Sequence, residues 1–192
     1  MSAIPKTKMS PEEYLEFERK SEEKHEYFDG EIFAMSGAKW NHNVIAWNIG
    51  GELRQKLKDK KCSVCPGDMR VFVPKTGLYT YPDLVVVCGE PKFQDNVFDT
   101  LLNPVLLIEV FSESTESRDR GKKFQHYRSI ESLREYVLVA QDEARIEKYV
   151  RQGEGFWVLS EAVGLDSEIK FDSVDCRIAL GEVYDKIDFS DE

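Results

Sequence analysis

Pro82-Asp83-Leu84-Val85-Val86-Val87-Cys88 and Val105-Leu106-Leu107-Ile108-Glu109-Val110-Phe111 are the two stretches of sequence that decide the fold. Neither run alternates between apolar and polar residues, which is typical of strands buried on both faces of a sheet. Helices must then cover both faces. Each run also carries one carboxylate close to an end, Asp83 in the first and Glu109 in the second.

The segments around these runs extend them into an α/β core. Apolar periodicity predicts a long helix from about Asn41 to Lys58, and residues 62–73 are expected to form one irregular strand. A basic helix is predicted over 119–130 and a third buried strand over 135–140. The predicted core, about residues 41–140, therefore has a mixed sheet and the order helix-strand-strand-strand-helix-strand.

Further elements are predicted on both sides of this core. Ser10-Pro11-Glu12-Glu13 is a capping box that predicts a helix to about Lys20. Asp29-Gly30, between two short apolar runs, predicts an N-terminal hairpin. Residues 145–150 and 156–159 predict antiparallel strands near the C-terminus. With 41% apolar residues in 192, we expect one domain over residues 1–192.

Composition excludes several classes of protein. No stretch approaches the roughly 18 apolar residues of a membrane span, and residues 1–20 lack the apolar run of a secretory signal, so we expect a cytoplasmic location. The four cysteines are too scattered for a zinc ribbon, and Cys62-x-x-Cys65 lies in a strand-like context. We therefore expect buried or half-buried thiols. Trp40 and Trp47 are expected in the core.

The formal net charge of −10 argues against a general nucleic-acid-binding protein. Basic residues are nevertheless concentrated around Arg118–Arg128 and around Arg54–Lys61. Such runs are usually solvated helix faces. The first run has more weight, because it coincides with the region where the two strand-end carboxylates and Lys123 are expected to meet.

Asp83, Glu109 and Lys123 are the candidate catalytic residues. Two carboxylates at the ends of adjacent buried strands could bind Mg²⁺ or Mn²⁺ together with a substrate phosphate. A cation there polarises the phosphoryl oxygen and activates a water, and a lysine stabilises the developing charge. The alternative for Asp83 is a turn-capping role after Pro82. For Glu109 the alternative is a structural salt bridge with a neighbouring arginine or lysine.

Three further polar residues are candidates for supporting roles. His42 begins the long helix and could face the metal site, although a histidine at a helix start is more often structural. Asp68 follows the bend on the first core strand and could be a third ligand. Glu31 lies in the N-terminal hairpin.

Several segments together resemble one protein family. They are His25–Glu31, Tyr81–Val87, Asn103-Pro104 with Glu109–Thr115, and Asp119–Phe124. In this order, across nearly the whole chain, they resemble the Uma family of bacterial restriction-endonuclease-like proteins, which looks like a branch of the PD-(D/E)XK nuclease superfamily. The resemblance implies the same core order and a Mg²⁺-dependent or Mn²⁺-dependent endonuclease acting on DNA.

Motif by motif, Asp83 matches the "PD" aspartate and Glu109 the "(D/E)" acid. Phe111 stands where the superfamily pattern has its lysine. The resemblance implies that this lysine has moved to the following helix, where Lys123 is the first choice and Lys122 the alternative. A non-catalytic nucleic-acid-binding or regulatory module that kept the fold is the rival interpretation. The oligomeric state is open, with a two-fold homodimer as the commonest assembly.

Overall fold

A six-stranded mixed sheet forms the centre of the protein. The computed structural model describes residues 8–153 and 155–189. The strands of this sheet are β3 Cys62–Pro66, β6 Leu84–Cys88, β8 Leu106–Phe111, β9 Glu135–Ala140, β10 Arg145–Gly153 and β11 Phe156–Val163. They lie in the order β11-β10-β9-β8-β6-β3, and within this sheet only β8 and β9 run parallel.

Helices cover both faces of this sheet, as the continuous apolar runs predict. α2, Trp40–Lys56, packs on one face through Ile45, Ile49 and Leu53. The other face carries a helical layer of three short consecutive segments. They are α3 Glu113–Arg118, a π-helical turn Asp119–Lys123 and α4 Phe124–Tyr127. The predicted order of the core is confirmed, from α2 through β3, β6 and β8 to the helical layer and β9.

A second sheet, of five strands, contains the N-terminal hairpin. Its strands are β1 His25–Phe28, β2 Glu31–Ala34, β4 Arg70–Val73, β5 Leu78–Thr80 and β7 Thr100–Leu101. They lie in the order β2-β1-β5-β4-β7. Tyr14 of α1, Pro11–Glu18, packs against Tyr27 and Tyr79 of this sheet. The predicted capping box at Ser10 is present.

The segment 62–73 is two strands and not the single strand that the sequence predicted. β3 and β4 belong to different sheets, and the chain turns between them at residues 67–69. Gly67 approaches the backbone of Asp83, since a Cβ there would lie 3.5 Å from the Asp83 carbonyl oxygen. The predicted turn at 74–80 includes β5. The local sequence could not reveal that the chain passes from one sheet to the other here, because the pairing of β3 and β4 with distant strands decides it.

The C-terminal strands are also part of the architecture. β10 and β11 extend the central sheet. β12, Glu168–Phe171, and β13, Cys176–Ala179, form a separate hairpin, and α5, Leu180–Val183, follows it. Phe171, Ile178 and Leu180 pack into the core under α2. Within the described residues, no helix is both long and apolar enough to span a membrane.

The prediction for the cysteines was wrong for one pair. Cys62 and Cys88 stand directly opposite each other on β3 and β6 and form a disulfide. The sequence hides this pair because the antiparallel register, and not the spacing of 26 residues, brings the two sulfurs together. Cys65 and Cys176 are free and half-buried, as expected.

The prediction that Trp40 and Trp47 lie in the core was wrong. Their exposed fractions are 76% and 81%. The buried stripe of α2 follows Ile45, Ile49 and Leu53 at intervals of four residues. Trp47 lies two residues after Ile45, which on a helix is close to the opposite side.

Candidate active site

The register of two central strands brings Asp83 and Glu109 together. β6 and β8 are antiparallel and pair Leu84 with Ile108. One residue further along the same register, Asp83 stands opposite Glu109 at the end of the ladder. Asp83 Oδ2 accepts a hydrogen bond of 2.7 Å from the Val110 N–H. Strand alternation turns Glu109 toward the helical layer, while Asp83, which lies in the bend just before β6, contacts His42 of α2. Asp83 immediately precedes β6, whereas Glu109 is the fourth of the six residues of β8 and does not lie at its end, where the sequence had suggested it would be.

Lys123 approaches Glu109 from the helical layer. Its Nζ lies 3.0 Å from Glu109 Oε1 and 3.2 Å from Asp119 Oδ1. Lys123 is the last residue of the π-helical turn, a feature often found at functional sites. Lys122 is exposed and forms no ion pair with any described residue. The structure therefore brings Lys123, and not its neighbour, to Glu109.

Glu109 and Lys123 belong to a larger buried polar cluster. The Tyr127 hydroxyl donates a hydrogen bond of 2.7 Å to Glu109 Oε1. The Thr80 hydroxyl donates one of 2.5 Å to Glu26 Oε1, which lies 3.9 Å from Lys123 Nζ. Glu26 also pairs with Arg118. These side chains connect the two sheets and fix the position of Lys123.

Sequence reasoning missed Glu26, Asp119 and Tyr127 as members of this site. Glu26 lies in the segment His25–Glu31, which supports the resemblance and the predicted hairpin but assigns Glu26 no role. Asp119 lies in the segment Asp119–Phe124, which carries the resemblance but assigns this acid no role. The signal that could have found Asp119 is its spacing of four residues before Lys123 on a helix.

The supporting candidates have three different positions. His42 Nε2 lies 3.2 Å from Asp83 Oδ2. Asp68 is exposed, lines the cavity that Asp83 and Glu109 also line, and pairs with Lys24 at 2.8 Å. Glu31 is exposed on β2 and does not line the cavity. Of the three, the structure brings only His42 into contact with a strand-end acid.

Burial and charge shift the pKa values of the site. Burial raises the pKa of Glu109 to about 8, and the negative charges of Asp83 and Asp119 add to this, while Lys123 opposes it. Burial alone would lower the pKa of Lys123, but its three neighbouring carboxylates raise it overall. Lys123 therefore remains charged, and Glu109 can change its charge near neutral pH.

His42 also titrates in an altered environment. Burial lowers the pKa of His42, but its hydrogen bond and attraction to Asp83 raise it overall. His42 Nδ1 is buried and has no hydrogen-bond partner among the described residues. Through Nε2, His42 holds the Asp83 carboxylate in place together with the Val110 N–H.

We expect the metal-free protein to lose stability as the pH rises. The pKa of Glu109 is raised in the folded protein from 4.5 to about 8. Its contribution is therefore fully present below pH 4.5 and is lost as the pH rises through about 8. Urea unfolding in EDTA at pH 6 and pH 8.5 measures this loss. Glu109→Gln should show a smaller difference between the two pH values, and an equal difference would contradict the assignment.

The site opens into a cavity of about 1320 Å³. Asp83, Glu109 and Lys123 line one part of it. The loop before α2, one face of α2 and the end of β3 enclose the rest. This space is large enough for part of a polymeric substrate next to the two carboxylates.

The donor chemistry fits a hard divalent cation. Asp83 and Glu109 offer carboxylate oxygens, which Mg²⁺ prefers. The raised pKa of Glu109 marks a carboxylate whose charged form a cation would stabilise. In the described part of the chain, no three His, Cys, Asp or Glu side chains form a ready metal-binding group. A cation held by the two carboxylates would therefore need substrate phosphate and water to complete its coordination, as Mg²⁺ sites on phosphates usually do.

A solved structure has the same fold. It is described as "Crystal structure of a putative nuclease belonging to DUF820 from Anabaena variabilis". The TM-score is 0.73, and the match covers 93% of this chain and 96% of that one. The sequence identity is 17%, so this likeness concerns the fold.

Sequence comparisons extend over most of the chain. Two proteins from Synechocystis sp., called uncharacterized protein sll1609 and uncharacterized protein slr1290, are 37% and 35% identical to it. The first match covers 89% of this chain and 97% of the relative, and the second covers 95% and 94%. Residues 11–178 match the Uma2 family, whose description is "Putative restriction endonuclease". The chain therefore belongs to the Uma2 family.

Proposed function

We propose that the protein is a divalent-metal-dependent endonuclease that hydrolyses phosphodiester bonds in DNA. One observation carries the proposal: Asp83, Glu109 and Lys123 line the same cavity, with Lys123 Nζ 3.0 Å from Glu109. Membership of a family whose description is "Putative restriction endonuclease" gives additional support.

Each residue has a distinct role in this proposal. Asp83 and Glu109 would hold Mg²⁺ or Mn²⁺, which polarises the phosphoryl oxygen and lowers the pKa of a bound water. Lys123 places a fixed positive charge where negative charge develops on the phosphate. His42 positions Asp83 through the 3.2 Å contact. Tyr127 orients Glu109 by its hydrogen bond.

Metal-dependent cleavage and metal-dependent stability test the proposal together. Purified protein should cut DNA at low salt with Mg²⁺ or Mn²⁺ and should not cut it in EDTA. The same ions should raise the melting temperature, because they bind the folded state preferentially. The rise should be larger at pH 8.5 than at pH 6, since the charged form of Glu109 binds the cation. A melting temperature indifferent to millimolar metal at both pH values would contradict the proposed site.

A non-catalytic DNA-binding or regulatory module is the second candidate. The contact between Lys123 and Glu109 favours it, because this buried acid already has a cationic partner in the folded chain. The net charge of −10 is unusual for either DNA-binding function. DNA binding without any cleavage in Mg²⁺ or Mn²⁺ would select this candidate. A cytoplasmic location and a two-fold homodimer stay predictions, and light scattering on purified protein would test the latter.

A further inference from the structure

An exposed tryptophan lines the same cavity as the candidate catalytic residues. Trp47 has an exposed fraction of 81%, the highest of any large apolar side chain in the described ranges. Exposed large apolar groups beside a cavity often mark binding sites. Trp40, two helical turns earlier, is nearly as exposed at 76% but does not line the cavity. The two residues therefore form a natural pair for comparison.

The surface of α2 next to Trp47 lacks side chains, because glycines stand there. Gly50 and Gly51 lie about one turn after Trp47 and line the cavity. A glycine inside a helix costs about 1 kcal/mol relative to alanine. Packing explains Gly50, because a Cβ there would lie 3.2 Å from Leu84. At Gly51 a Cβ would have no heavy atom within 4 Å, so internal packing does not explain this glycine.

The distances along α2 fit an extended nucleotide strand. His42 joins the first turn of α2 to Asp83. At 1.5 Å per residue, Trp47 lies about 7.5 Å further along the axis and Arg54 about 18 Å further. Arg54 lines the far part of the cavity and has no ion-pair partner among the residues that the structure describes. A strand with its phosphate at Asp83 and Glu109 would thus pass an aromatic ring and then a cation.

The chemistry of the α2 surface around Trp47 favours binding of an unpaired base over a paired one. An indole ring offers a flat surface on which any base can stack, whereas bases within a duplex already stack on each other. A protein with a net charge of −10 has little general attraction for phosphates. Stacking must then supply much of the affinity for a nucleic acid.

We propose that the Trp47 face of α2 binds an unpaired segment of the substrate strand, with one base stacked on Trp47. Single-stranded or locally unpaired DNA is then the preferred substrate over a fully paired duplex. This inference rests on the proposed nuclease function, because the strand is positioned by its phosphate at Asp83 and Glu109.

Binding of a single strand without cleavage tests the inference. The probe is a fluorescein-labelled oligothymidylate of about twelve nucleotides, compared with a duplex of equal length. Ca²⁺ replaces Mg²⁺ in both measurements, because an oxygen-binding cation is needed to hold the phosphate at the two carboxylates. Wild-type protein should bind the single strand at least about tenfold more tightly, and Trp47→Ala should weaken this binding by about 10-fold to 100-fold, as expected for one stacked base. Trp47→Phe should recover most of the affinity. Equal affinity for both probes, or an unchanged Trp47→Ala, overturns the inference.

Two further variants separate stacking from folding. Trp40→Ala is the matched control and should bind like wild type, so an equal loss in both tryptophan variants overturns the inference. Gly51→Leu places a side chain in open space and should stabilise the helix while weakening binding of the oligothymidylate. A variant that is more stable yet binds less cannot be explained by misfolding. Full affinity in Gly51→Leu contradicts the position of the strand.

The outcomes for this inference and for the proposed function are distinguishable. If the protein cleaves duplex DNA and Trp47→Ala does not change the affinity for the oligothymidylate, the nuclease function stands and the inference is overturned. Trp47-dependent binding of the single strand without cleavage in Mg²⁺ or Mn²⁺ keeps the inference and overturns the nuclease function. A dimer that dissociates in Trp47→Ala, measured by light scattering, would show that the face binds a second copy, and this also overturns the inference.

Discussion

Glu109→Gln is expected to lower the rate of metal-dependent DNA cleavage by at least about 100-fold, which is the loss typical when an essential electrostatic group is removed. Glutamine keeps the shape of the side chain and can still accept the hydrogen bond from Tyr127. It removes the charge that the cation needs. Single-turnover cleavage of labelled DNA at saturating Mg²⁺ measures the loss.

Two companion variants make this result specific. Asp83→Asn should lose cleavage to a similar extent, because it removes the other proposed ligand charge. Lys122→Ala should cleave like wild type, since its exposed side chain makes no ion pair in the described structure. Full activity of Glu109→Gln, or a severe loss in Lys122→Ala, would contradict the assignment of the site.

Lys123→Met is expected to lower the free energy of unfolding by about 3 kcal/mol at pH 8.5. The substitution leaves the carboxylates of Glu109 and Asp119 buried without their cationic partner. The loss should be smaller at pH 6, because Glu109, whose pKa is already raised to about 8, then takes up a proton. Urea unfolding in EDTA at the two pH values measures this difference.

A double variant identifies the cause of the instability. Adding Glu109→Gln to Lys123→Met should recover part of the lost stability, because one of the uncompensated charges is then absent. Lys122→Met is the matched control and should change the free energy of unfolding by no more than about 0.5 kcal/mol. Additive effects of the Glu109 and Lys123 substitutions would mean that the two side chains do not interact in solution.

This second prediction affects how the lysine is tested in catalysis. Lys123 contacts Glu109 and Asp119 and lies near Glu26, so its removal disturbs structure as well as chemistry. Cleavage by Lys123→Met is therefore interpretable only where the variant is shown to be folded. Measurement at pH 6, where the loss of stability is smaller, gives the clearest comparison with wild type.

The central elements could be predicted because their signals are local. The continuous apolar runs around Val85 and Leu107 indicated doubly buried strands, and helical periodicity indicated α2. Asp83 and Glu109 stood out because a carboxylate at the end of such a run requires a partner or solvent. The antiparallel register then places them opposite each other.

Other features depended on which distant strands pair. The Cys62–Cys88 disulfide follows from the register of β3 on β6, and the division of residues 62–73 between two sheets follows from the pairing of β4 with β5 and β7. Neither contact leaves a mark in the spacing of residues along the chain. The exposure of Trp47 could have been predicted from helical geometry, because a residue two positions from the buried Ile45 lies close to the opposite side of the helix.

The sequence by itself determined the α/β core order, the two strand-end carboxylates and a lysine in the following basic segment. Only the tertiary structure decided that Lys123 rather than Lys122 reaches Glu109, that Glu26 and Asp119 complete its environment, and that Trp47 lines the cavity. The physical reason is that burial and periodicity act between neighbours along the chain. Ion pairs between layers instead depend on how the π-helical turn sits over the sheet, which packing of the whole domain determines.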